Sequence, residues 1–174
     1  MSIIKRLCVA AIAAATTIIP VGAEIQDGTS SLLETLDREG ILVTINPDKC
    51  LTNGANGQYR WLGFQREMIL CPGDTVDADD HNTVRHETIH AIQHCFNVAR
   101  GTDMDTPIID DPDDFGKFIR THLTESEIEW VTEMYDESQW LTELEAFAGA
   151  KAYTSSELEK LFLDMCTLQT SFDG

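Results

Sequence analysis

Positive charge is scarce in this chain. Twelve Lys and Arg stand against 30 Asp and Glu, a formal net charge of -18 at pH 7. A surface of that sign repels phosphate backbones and anionic lipid headgroups, so nucleic-acid binding and docking on acidic membranes are disfavoured. It keeps an exported protein dissolved; attraction of a basic substrate is the sharper alternative. No C-x-x-C pair is present, which argues against a zinc site built from thiolates. There is no internal repeat and no low-complexity tract. The apolar run from Leu7 to about Ile19 is shorter than the roughly 20 residues a membrane-crossing helix needs.

That run has the layout of a leader. Lys5 and Arg6 precede it, Pro20 breaks it, and Val21, Gly22 and Ala23 follow, as in a secretory signal peptide cut between Ala23 and Glu24. The expected organisation is a signal peptide over residues 1–23 and one domain over 24–174, secreted or periplasmic and free of the membrane after cleavage. A mature chain of roughly 150 residues buries about 70% of the surface its unfolded form exposes, enough for its own core. It retains Cys50, Cys71, Cys95 and Cys166, and an even number in an exported protein reads as two disulfides. Cys50 and Cys71 flank one Gly- and Asn-containing segment, while Cys95 and Cys166 fall on apolar faces of predicted helices. The favoured pairing is therefore Cys50–Cys71 with Cys95–Cys166.

Patterning predicts a first helix over residues 29–40, ended by Gly40, then a strand in the β-branched stretch Ile41 to Pro47. Asn53-Gly54 and Asn56-Gly57 are turn dipeptides, and strand segments follow on either side of Gly63. A helix is expected from Asn82 or Thr83 to Val98, then a long acidic loop from Ala99 to Gly116. Three helices complete the chain, two of them opened by capping-box pairs, Thr124 with Glu127 and Thr154 with Glu157. The fold class is α+β, a small antiparallel sheet packed on helices.

The stretch TVRHETIHAIQHC, Thr83 to Cys95, carries the chemistry. His86 and His90 lie four apart on a predicted helix, so both imidazoles reach one point. Glu87 sits about 100° around from His86, beside that point. Zinc hydrolases need this spacing: two His ligands, with the intervening Glu deprotonating a zinc-polarised water. His94 is two turns from His86, about 11 to 12 Å, too far to share a metal with it. It reads as a supporting residue or a transition-state hydrogen-bond donor. His81 could reach the site from ahead of the helix, and His122 reads as a surface residue near a helix start.

A catalytic zinc usually takes a third protein ligand. The segment WLTELEAFAGA, Trp140 to Ala150, offers Glu143 and Glu145 on a helix whose small residues permit close approach. With this segment the chain resembles the HExxH zinc metallopeptidases of the zincin type whose third ligand is a glutamate. The resemblance covers about 65 residues, between the histidine helix and ELEAF, and departs at Phe147, where those families often carry Asp or Asn. It implies a zincin-like domain holding Zn²⁺ through His86, His90 and Glu143, with Glu145 the alternative third ligand. It also implies that Glu87 acts as general base and that an edge strand, here in YRWLGFQREMIL (Tyr59 to Leu70), precedes the metal helix; that strand either receives an extended peptide or is plain core. Tyr135, Tyr153 and His94 are candidates for stabilising the oxyanion. The expected activity is hydrolysis of a peptide or protein substrate by a monomer. Three alternatives stay open: a zinc hydrolase acting on another amide or ester, an inactive zincin-like binding module, and a metal-free domain stapled by disulfides.

Overall fold

The structure is a computed structural model that describes residues 21–45, 47, 50, 56–63, 65–72, 78–102 and 106–166. Residues 1–20, which hold most of the expected signal peptide, lie outside the described residues, as do most of the Asn-Gly turn segment and residues 167–174. The described helices include none long and apolar enough to cross a membrane.

Helix α1 (Val21–Arg38) begins ahead of the expected start at Thr29 and stops at Gly40, whose φ of 84° suits a residue without Cβ. Strand β1 (Ile41–Ile45) follows. Strands β2 (Gly57–Trp61) and β3 (Arg66–Leu70) form a hairpin closed by the Leu62 N–H donating to the Gln65 carbonyl. The sheet order is β1-β3-β2, with β2 antiparallel to β3 and β1 parallel to it. The α+β class is as expected, but the sheet is mixed rather than wholly antiparallel. The chain between Ile45 and Arg66, β2 included, is the crossover that a parallel pair requires, and local patterning does not reveal it.

Helix α2 (Ala78–Arg100) is the spine of the molecule, running against α5, α6 and the sheet. Past its end, Gly101 at φ 65° donates to the Val98 carbonyl and the Thr102 N–H returns to the Asn97 carbonyl, so two carbonyls of the last turn are satisfied. The expected loop Ala99 to Gly116 is shorter than predicted, because residues 112–116 open helix α3 (Pro112–His122). Asp111 accepts from the Asp113 and Asp114 N–H groups, and Pro112 occupies the first turn. His122 accordingly ends α3, with its ring against Phe118.

Helix α4 (Glu125–Met134) carries the predicted capping box of Thr124 and Glu127. A short 3-10 turn (Glu137–Gln139) leads into α5 (Trp140–Ala152), and α6 (Ser155–Cys166) starts with the reciprocal bonds of Thr154 and Glu157. Two apolar clusters result. One joins Leu32, Leu36, Ile41, Met68, Ile92, Leu158 and Phe162 from α1, the sheet, α2 and α6. The other joins Ile119, Leu123, Val131, Leu144 and Ala148 from α3, α4 and α5. Both disulfides pair as expected: Cys50–Cys71 beside the sheet and Cys95–Cys166 between α2 and α6.

Candidate metal centre

The site lies where the two clusters meet. Helix α5 comes close to α2 because its facing residues are small: a Cβ added at Gly149 would sit 2.8 Å from Ile89 Cδ1. Arg85 fastens the pair by donating from Nε to the Ala150 carbonyl at 2.8 Å, near the electronegative end of α5. This approach brings His86 and His90 from α2 against Glu143 from α5. One ligand atom from each lies within 4.8 Å of the others. His86 Nε2 is 3.0 Å from His90 Nε2, and the Glu143 oxygens lie 3.3 Å from His86 Nε2 and 3.5 Å from His90 Nε2.

This donor set fits a divalent cation. Two ring nitrogens converge with their lone-pair positions on one spot, and only one of them can carry a proton along the line between them. Glu143 Oε2 is buried 3.3 Å from His86 Nε2 but with no well-aligned hydrogen bond among the described residues, an arrangement that is costly unless a positive charge meets it. Burial disfavours charge on His90, yet the hydrogen bond and charge of Glu143, then Glu87 and Gln93, outweigh it and raise the ring well above the usual imidazole range. Burial likewise acts to raise Glu143, and the two histidines overcome it and hold its carboxyl low. The cluster thus favours net positive charge between the imidazoles and the carboxylate, whether supplied by protons or by a metal. Two imidazole nitrogens and one carboxylate oxygen are donors that zinc accepts.

Glu145, the alternative ligand, points elsewhere. Its carboxylate accepts from the Ile108 and Ile109 N–H groups, at 2.8 and 2.9 Å, and from Gln93 Nε2 at 2.8 Å. Two residues along a helix are about 200° apart, so one of the pair faces the histidines and the other faces the loop ahead of α3. The structure brings Glu143 to the histidines.

Glu87 is buried and lines the same cleft, which measures about 830 Å³. Its Oε2 accepts from the Tyr59 N–H of β2 at 2.6 Å. That contact needs β2 to pass directly over α2, and Gly57 makes it possible: a Cβ there would meet Thr83 Cγ2 at 2.5 Å and Glu87 Oε1 at 2.9 Å. The Asn56–Cys71 and Leu62–Gln65 bonds set the phase of the hairpin ladder, and the alternation leaves the N–H and C=O groups of Gly57, Tyr59 and Trp61 on the outer edge of β2.

The oxyanion candidates separate by position. Tyr135 lines the cleft, and burial, with the nearby charges of Glu143 and Glu87, raises its phenol pKa and keeps it a proton donor. Tyr153 lies against Phe118, and His94 is edge-on to Tyr59 and Trp61 at 5.8 and 5.0 Å; neither lines the cleft. Burial and Arg66 lower His94 to about 4, so it packs as a neutral ring. His81 is also outside the group. Its Nδ1 meets Thr29 Oγ1 at 3.1 Å, beside a separate cavity of about 340 Å³.

Comparison with protein-family models, curated proteins and solved structures finds no match for this chain. The site is therefore read from its own geometry. Sequence reasoning missed two of its residues. Phe147 packs on the His86 ring at a centroid distance of 4.3 Å, and Trp130 of α4 meets Phe147 edge-on at 5.4 Å to form an apolar wall of the cleft. Trp130 and Met134 sit four apart on α4, and that spacing was the available signal for a shared face.

Proposed function

We propose that the protein is a zinc-dependent peptidase of an oxidising compartment, secreted or periplasmic, in which His86, His90 and Glu143 hold Zn²⁺ and Glu87 is the general base. The observation that carries this reading is the convergence of the three ligand atoms in one cleft with Glu87 beside them. Zinc in such a site acidifies a water and polarises a carbonyl. The chain's own residues supply the rest. Glu87 is held through Oε2 by the Tyr59 N–H, which leaves Oε1 to accept the proton of the attacking water and return it to the leaving amine. Tyr135, kept protonated, donates to the developing oxyanion. An extended peptide lies along the outer edge of β2, where Gly57 and Tyr59 border the cleft; the Tyr59 N–H already serves Glu87, so pairing uses the Tyr59 carbonyl and the outward groups of Gly57 and Trp61. Two disulfides suit export to an oxidising compartment.

Elemental analysis of the purified protein tests this directly. One zinc per chain is expected, lost in Glu143→Gln and kept in Glu145→Gln. Glu87→Gln should keep the metal and lower peptide hydrolysis at least about 100-fold. Wild-type protein that takes up no zinc on reconstitution would overturn the proposal.

A further inference from the structure

A chain of hydrogen bonds, buried at its centre, runs from His90 to the loop that precedes α3. Gln93 is 2% exposed and Glu145 3%, so water does not compete at the link between them. Gln93 Nε2 faces two groups that only accept, Glu145 Oε2 at 2.8 Å and the Thr142 carbonyl at 3.0 Å. That end of the carboxamide must be its NH₂. The opposite end, Oε1, then lies 2.8 Å from His90 Nδ1, and a carboxamide oxygen only accepts. His90 Nδ1 therefore carries a proton in either charge state of the ring, and once the other proton leaves, as on metal binding, the lone pair is on Nε2, which faces His86 and Glu143. The carboxylate that orients Gln93 is itself fixed by the backbone N–H groups of Ile108 and Ile109.

We infer that Gln93 and Glu145 are positioning residues that set the tautomer and direction of His90, and that the loop segment bearing Ile108 and Ile109 belongs to the same unit. The consequence for metal affinity rests on the ligand set proposed above; the hydrogen-bond logic does not. His86 has no equivalent support. Its Nδ1 is buried without a hydrogen-bond partner among the described residues, and Phe147 packs on its ring. Loss of the His90 support is therefore not made good elsewhere in the group.

Proton-detected nitrogen NMR of the metal-free wild type should show a slowly exchanging His90 Nδ1–H. Gln93→Met removes its acceptor at nearly constant length, and Glu145→Gln places an amide NH₂ among three donors. In both variants the protected proton should disappear. Zinc affinity, measured by chelator competition, should fall about 10- to 100-fold with a stoichiometry of one retained. Amide exchange at Ile108 and Ile109 should quicken in Glu145→Gln. Absence of the protected proton from the wild type would overturn the inference, as would wild-type zinc affinity in both folded variants. A wild type that shows the proton but binds no zinc would refute the metal reading and leave the tautomer assignment standing. Should Gln93→Met fail to fold, the wild-type spectrum and Glu145→Gln still decide.

Discussion

The two apolar clusters are built from the same kinds of helix but held by different means. The cluster of α1, the sheet, α2 and α6 is stapled by both disulfides. The cluster of α3, α4 and α5 has no cysteine between residues 112 and 152 and relies on packing, capping and the α2–α5 seam. The candidate metal group straddles that seam, with its histidines on the stapled side and Glu143 on the other. A cation bound there would tie the unstapled half to the stapled one. The general lesson is that a site at a boundary draws its rigidity from one side and its adjustability from the other.

Disulfide removal should expose the difference most strongly. Cys95–Cys166 closes a span of 71 residues, and Cys50–Cys71 one of 21. Chain entropy puts the losses at roughly 4 and 3 kcal/mol. Denaturant midpoints of the two double Cys→Ser variants should follow that order, and the α2–α6 side should lose its hydrogen-exchange protection. Equal midpoints, or a faster-exchanging α2 than α3 in the oxidised protein, would break the comparison. A middle-sized effect is expected at the seam. Gly149→Val crowds Ile89 and should cost about 1–3 kcal/mol. Zinc affinity should fall with it, while packing within each cluster, read by NMR shifts of Phe162 and Ile119, stays in place.

The smallest effect belongs to the surface pair of Lys151 and Glu127, which joins α5 to α4. Glu127→Gln should cost well under about 1 kcal/mol. The Lys151 hydrogen bond, helped by Thr124, holds the Glu127 carboxyl down at about 2 from an ordinary 4.5. A depressed carboxyl stabilises the fold above its ordinary value and ceases to do so as pH falls through the lowered one. The difference in Tm between wild type and variant should therefore be full above pH 4.5 and gone near pH 2. A difference that persists in acid would mean that packing, not charge, joins the two helices.

Much of this architecture is legible locally. The i, i+4 histidines, both capping boxes and the small residues of α5 are written within single turns of helix, and the structure places them accordingly. The cysteine pairing followed from the apolar helix faces that carry Cys95 and Cys166 and from the single segment that Cys50 and Cys71 flank. What escaped patterning is either a competing signal or a long-range choice. Helix α3 was hidden by six acidic residues between Asp103 and Asp114, although Asp111-Pro112 is a helix start in its own right. The parallel β1–β3 pairing depends on strand order, which alternation within a strand does not encode. Glu143 and Glu145 are both buried, and helical phase alone does not say which side faces the histidines. Gln93 and the loop N–H groups decide it, from residues far apart in the chain.

One consequence of Cys95–Cys166 concerns timing. Because its partner lies 71 residues downstream, the bond that anchors α2 to α6 forms only after α3, α4 and α5 have all been synthesised. Glu143 lies inside that span, so the chain presents its histidines long before it can surround them. The three-residue group is therefore complete only late in synthesis, and a nascent chain that ends before Glu143 carries the two histidines without the carboxylate that meets them.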